Sequence, residues 1–148
     1  MENKLDAHLN HRIAILSGLI KRQVYRIIAD EGINITPEQW SVLSYLWDEN
    51  GLTIGEIALR SRKDFANITR IVDKLQKQDY IYKKKNEKDG RSYLVYYTEK
   101  ADNIKNRIEK CQNRSSDISL NGISTEEQRY IIDIIDRMEK NSLDFLNK

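Results

Sequence analysis

Five polar side chains, Lys63, Asn67, Arg70, Lys74 and Lys77, recur at intervals of three and four residues in the middle of this 148-residue chain. On a helix of period 3.6 they line one face. Cations and a carboxamide at that spacing suit base edges and phosphates: Arg forks onto guanine, Asn onto adenine, and Lys meets phosphate oxygens. The opposite stripe, Phe65, Ile68, Ile71, Val72 and Leu75, is apolar, which predicts burial. Tyr80-Ile81-Tyr82 and Lys83-Lys84-Lys85 follow, then Asn86 to Gly90, then a second β-rich run from Arg91 to Thr98. Asp89-Gly90 between two such runs predicts a hairpin. A polar helix face beside a basic hairpin fits a major groove and the adjoining backbone or minor groove. The plainer alternative is a solvated helix face and a charged hairpin tip.

The elements that must position this stretch carry their own signals. A long helix is expected from about Leu5 to Asp30, with Leu5, Leu9, Ile13, Leu16, Ile20, Val24 and Ile27 on one face and Glu31-Gly32 ending it. Thr36, Pro37 and Gln39 form a helix start with a capping box, followed by Trp40, Leu43 and Trp47 on one face. Asn50-Gly51 stops that helix. Thr53 and Glu56 form a second box, opening a short helix to about Arg60. Asp64 caps the helix that bears the polar stripe. Two short capped helices with a joint of three or four residues predict a helix-turn-helix. Its core is expected from Trp40, Leu43, Ile54, Ile57, Ile68, Ile71 and Leu75. After the hairpin, Ala101, Ile104, Ile108 and Cys111 mark another helix, which Asn113 to Ser116 are expected to bend or loosen. Ser124 and Glu127 open the last helix, with Tyr130, Ile131, Ile134, Ile135, Met138 and Leu143 on one face.

The charge distribution agrees with this reading. From Thr53 to Thr98 there are 11 Lys/Arg against 6 Asp/Glu; the remainder has 14 against 17, for a net charge of +2. Positive charge concentrated on one stretch is the footprint expected of a nucleic-acid binder. One cysteine means no internal disulfide and fits a reducing compartment. No apolar run approaches the ~20 residues of a membrane span, and the first residues have no signal-peptide pattern. A cytoplasmic protein without membrane contact is therefore expected.

Nothing in the chain suggests an enzyme. It has no phosphate-binding Gly loop, no HExxH and no G-x-S-x-G. His8 and His11 lie three apart, but two ligands make no metal site, so neither metal nor cofactor is expected. Cys111, on an apolar face, is expected to be a buried, inert thiol.

Ile57-Ala58, the run Ile68 to Leu75, the tip Lys88-Asp89-Gly90-Arg91-Ser92 and the exit Tyr97-Thr98-Glu99-Lys100-Ala101 together resemble the MarR family of winged helix-turn-helix transcriptional regulators. The resemblance covers nearly the whole chain in element order. It departs at Asp79, where the family usually has Gly; Asp tolerates the left-handed conformation better than most residues. The resemblance implies a mainly α fold with a small β-hairpin wing. A winged helix-turn-helix at 36–98 would be flanked by dimerisation helices at 1–31 and 99–148. It further implies a homodimer on a pseudo-palindromic DNA operator, and a repressor released by a small aromatic or anionic effector, or by an oxidant. The family's peroxide sensors keep their reactive Cys in the first helix, where this chain has none.

The candidate DNA contacts are Lys63, Phe65, Asn67, Thr69, Arg70 and Lys74 on the helix and Lys84, Lys85, Lys88, Asp89 and Arg91 in the wing. Asn67 and Arg70 are the expected base readers, and Thr69 and Lys74 are expected at phosphates. Phe65 is open between core packing and a thymine-methyl contact. The resemblance gives Arg91 minor-groove entry, with Asp89 holding its guanidinium. A candidate effector pocket comprises His11, Arg12, Trp40, Tyr45 and Trp47, with Arg12 favouring an anion. The rival to the whole reading is a winged-helix protein-interaction module without DNA binding.

Overall fold

The computed structural model describes residues 4–148. Residues 1–3 of the expected dimerisation segment 1–31 lie outside the described residues. A 3-10 turn at Lys4–Ala7 precedes α1 (Leu9–Asp30). The element expected to be one helix from Leu5 is thus broken at His8, an N-cap with extended backbone and no side-chain cap. Then follow α2 (Pro37–Asp48), β1 (Leu52–Thr53), α3 (Ile54–Ser61), α4 (Phe65–Lys77), β2 (Ile81–Lys85), β3 (Tyr93–Tyr97), α5 (Glu99–Ser119) and α6 (Thr125–Leu146). The chain divides into two compact units, Met1–Ser115 and Ser116–Lys148.

Local capping fixes where the helices of the first unit begin. Thr36 Oγ1 accepts the Gln39 N–H at 3.2 Å, and Gln39 Oε1 accepts the Thr36 N–H at 3.0 Å. Thr53 and Glu56 repeat the reciprocal pair at the start of α3. Asp64 Oδ1 accepts the Asn67 N–H at 2.7 Å at the start of α4. Each such cap contributes about 1 kcal/mol. The joint between α3 and α4 turns without glycine: Arg62 takes the left-handed conformation at φ 55°, and the Lys63 N–H reaches back to the Ala58 carbonyl at 3.1 Å. Asp79, beyond α4, is also left-handed at φ 63°, as its place in the sequence led us to expect.

The core of this unit gathers Ile28, Ile35, Leu43, Leu46, Leu52, Ile57, Ile68, Val72, Leu75, Val95 and Ile108, all at most 2% exposed. Trp40 and Ile54, expected inside it, are only half-buried against it. The sheet has antiparallel order β1-β3-β2. β1 was not anticipated; two residues are too few to show a period of two. Gly51 leads into it at φ 79°, and a Cβ there would meet the Tyr96 ring at 2.9 Å, so this glycine lets α2 turn into the sheet against an aromatic. α5 is continuous rather than loosened at 113–116. Ser115 is buried there, its Oγ accepting from Gln23 Nε2 of α1 at 2.9 Å.

In the second unit, Gly122 turns the chain at φ 81°. Ser124 and Glu127 then form the reciprocal cap that opens α6. None of the side chains of α6 is buried.

Candidate nucleic-acid interface

α4 buries Ile68, Ile71, Val72 and Leu75. Its other side leaves Arg70 and Lys74 exposed and Asn67 half-buried, so the expected polar stripe exists as one face. Two details differ from the sequence expectation. Phe65, at the end of the apolar stripe, is 60% exposed. As the first residue of α4 it sits beyond the core, and its ring is open to contact. Thr69 Oγ1 donates to the Phe65 carbonyl at 2.9 Å; its proton is committed, so the hydroxyl is left as an acceptor and is a poor partner for a phosphate oxygen. Lys63, in the joint before α4, is half-buried.

The hairpin sorts its lysines by strand alternation. Lys83 pairs with Val95 and lies on the side of the sheet that meets α4, where its Nζ donates to Asp73 Oδ1 at 3.0 Å. Lys85, two residues on, shares that side. Lys84 lies on the other. Its Nζ sits 5.8 Å from the Tyr82 ring centroid and 5.4 Å from that of Tyr96, and the two rings stack at 5.5 Å. Sequence reasoning established that three successive lysines cannot all point one way, but not which one departs.

The wing tip is longer than the Asp89-Gly90 signal suggested, and β3 starts at Tyr93 rather than Arg91. The Asn86 N–H donates to the Ser92 carbonyl at 3.0 Å, closing the loop, and Asn86 Oδ1 accepts the Lys88 N–H at 3.1 Å. Asp89 Oδ1 accepts the backbone N–H of Arg91 at 3.1 Å. The expected pair between Asp89 and the Arg91 guanidinium is thus replaced by a bond to the backbone. Asp89 shapes the turn that presents Arg91, whose side chain stays exposed, as does that of Lys88.

Of the candidate effector residues, Trp40 and Trp47 are half-buried against the core, and the indole Nε1 of each is buried without a hydrogen-bond partner. An unpaired buried donor costs roughly 1–3 kcal/mol. The Tyr45 hydroxyl donates to the Arg60 carbonyl at 3.2 Å, so its proton is already used. His11 is half-buried and Arg12 exposed. A separate groove of about 470 Å³ beside the wing is lined by Thr53, Glu56, Lys84, Leu94 and Tyr96 among others, and by none of these five residues. Among the described residues no group of three or more His, Cys, Asp or Glu could hold a metal, and no helix is long and apolar enough to cross a membrane.

A model of the MarR family matches residues 35–93. The organic hydroperoxide resistance transcriptional regulator of Bacillus subtilis (strain 168) is 30% identical over 103 residues, covering 67% of this chain and 69% of that protein. The chain belongs to the MarR family. It is therefore a DNA-binding transcriptional regulator, in a family whose members are dimeric and often respond to ligands. MgrA of Staphylococcus aureus is 22% identical over 114 residues, covering 75% of this chain and 76% of that one. Two solved MarR-type structures share the fold. The PcaV regulator of Streptomyces coelicolor, in complex with its natural ligand, has a TM-score of 0.84 at 22% identity, covering 96% of this chain and 99% of that one. A MarR protein of Peptoclostridium difficile has a TM-score of 0.86 at 23% identity, covering 100% and 97%.

Proposed function

We propose that this MarR-family protein is a homodimeric repressor that reads a pseudo-palindromic operator through α4 and clamps the flanking backbone with its wing. The observation that carries this reading is the polar face of α4, with Asn67, Arg70 and Lys74 opposite the buried Ile68, Ile71, Val72 and Leu75 and beside a cationic hairpin. Asn67 and Arg70 act at base edges; Phe65 meets a thymine methyl. Lys74, Lys85 and Lys88 take phosphates, and Arg91 enters the minor groove. Lys84 reaches a phosphate only by leaving its two tyrosine rings, so its contribution is smaller than that of Lys85. The two copies meet through the exposed apolar faces of the terminal helices. Selection of bound duplexes from a random pool tests the reading. The expected consensus is an inverted repeat, whose symmetry reports the dimer. No enrichment at low salt would instead favour the protein-interaction alternative.

Release by a small aromatic anion is supported by the unpaired Trp40 and Trp47 indoles and by Arg12 on the neighbouring α1. Titration with simple aromatic carboxylates should quench tryptophan fluorescence and lower the affinity for the selected duplex together. Quenching that leaves duplex affinity unchanged would remove the regulatory role.

A further inference from the structure

Five cations lie along the wing, at Lys83, Lys84, Lys85, Lys88 and Arg91, but they are not equivalent. Lys83 is the one held by a carboxylate: its Nζ donates to Asp73 Oδ1 at 3.0 Å, with the lysine side chain 23% and the aspartate 49% exposed. Asp73 stands one helical turn beyond Arg70, so it belongs to the side of α4 that faces both the wing and the polar stripe. A bare carboxylate there would stand against the phosphates that Lys74 and Lys85 are placed to meet. The two like charges would repel. With the aspartate half exposed the pair is partly screened, and its place beside the polar stripe gives it a bearing on the interface as well as on folding.

We propose that Lys83 is a positioning residue that masks Asp73 within the DNA interface, and that it makes no phosphate contact of its own. The proposal rests on the reading of α4 and the wing as the DNA-binding surface. It separates the three successive lysines by task. Lys83 cancels an anion, Lys84 lies over the tyrosine pair on the outer side of the sheet, and Lys85 is left to displace a counterion. Each phosphate neutralised by a protein cation steepens the fall of affinity with salt by about one unit in the log–log slope. The run therefore contributes one unit to that slope, rather than three.

The test uses the full-length protein and a random-sequence duplex, with binding followed by fluorescence anisotropy over a series of KCl concentrations. Far-ultraviolet dichroism checks that each variant is folded. Lys85→Met should flatten the slope by about one unit. Lys83→Met should weaken binding several-fold by exposing Asp73. In the double variant Asp73→Asn with Lys83→Met, the anion and its mask are both gone while side-chain shapes are nearly kept. It should regain the wild-type affinity and slope. A double variant that stays as weak as Lys83→Met, with the slope lowered by one unit, makes Lys83 a phosphate contact and overturns the proposal. So does a Lys83→Met protein that binds as wild type. If Lys85→Met and Arg70→Ala both leave binding untouched, the interface reading itself has failed, which the pair alone would not signal.

Discussion

α4 and α6 are both amphipathic helices with an apolar stripe along one side, yet they end in opposite states. In α4, Ile68, Val72 and Leu75 are fully buried beneath α2, α3 and the sheet. In α6, Ile131 is 45% exposed, Ile132 58% and Tyr130 69%, and no side chain is buried. The first half of α1 resembles α6, with Leu9, Ile13, Leu16 and Leu19 all exposed. Its second half, at Val24, Ile27 and Ile28, resembles α4. A periodic apolar face announces that something must cover it. Whether the cover comes from the same chain is settled by where the neighbouring elements lie. The winged module supplies its own cover; the exposed faces of the terminal helices are the ones we propose a second copy covers. Reading and assembly are thereby assigned to different parts of one small protein.

The largest expected effect comes from breaking the assembly side of that contrast. Leu16→Glu or Ile131→Glu places a charge in a face that we assign to the partner copy. Sedimentation should show monomers, and affinity for the selected operator should fall roughly 10²–10⁴-fold as bivalent binding is lost. A wild-type protein that sediments as a monomer, or variants that remain dimeric at full affinity, would erase the distinction. Next comes a comparison of stability. Leu75→Ala removes a fully packed side chain and should cost about 2–5 kcal/mol at any protein concentration. Ile131→Ala should instead show a cost that depends on protein concentration, if the proposed partner copy is what buries it. Thermal melts at two concentrations make the distinction.

On the reading side, Arg70→Ala should cost about 1–3 kcal/mol of operator affinity and relax the preference at one base pair of each half-site. Equal binding of operator and random duplex by the wild type would remove Arg70 from the base readers. A smaller effect is expected at the start of α6. The Glu127 carboxylate accepts the Ser124 N–H, and this bond, with that of the Ser124 side chain, holds its pKa below the usual carboxylate range. A depressed pKa means that the contribution is present above the unfolded value and is lost as pH falls through the folded one. Glu127→Gln, which removes the charge and keeps the shape, should therefore be slightly less stable than wild type near neutrality, and the difference should narrow in acid. A gap that widened in acid would contradict the assigned cap.

Capping made the element order legible. Thr36, Thr53, Asp64 and Ser124 each act within three residues of chain, so their chemistry is complete in the sequence and each one caps as expected. What escaped depended on contacts made at a distance. β1 exists because Leu52 and Thr53 lie against Val95 and Leu94. α5 continues through 113–116, where Gln23 of α1 bonds to Ser115. Within the interface, the polar face of α4 was legible from its period. That Lys83 answers to Asp73, or that Asp89 bonds to the Arg91 backbone rather than its side chain, was not. Strand alternation separates Lys84 from its neighbours, but only the packing of β2 on α4 decides which side faces the helix. The left-handed Arg62 gave no signal at all, since arginine has no preference for that conformation.

The smallest expected effect concerns the one thiol. The related regulator of Bacillus subtilis is named for organic hydroperoxide resistance, which raises the question of whether Cys111 senses an oxidant. Thiol reactivity requires a thiolate, and a thiolate requires exposure or nearby positive charge. Cys111 is 4% exposed, and burial, followed by the charge of Glu31, raises its pKa; Arg107 and Arg114 oppose this more weakly. α1, from Leu9 to Asp30, contains no cysteine. Cys111→Ala should therefore cost only about 1 kcal/mol of stability and leave duplex binding unchanged before and after treatment with an organic hydroperoxide. Should the oxidant release wild-type protein from DNA and fail to release Cys111→Ala, the first unit would contain a sensor that its packing argues against. The exposure of Cys111 would then have to arise from an opening of α5 against α1.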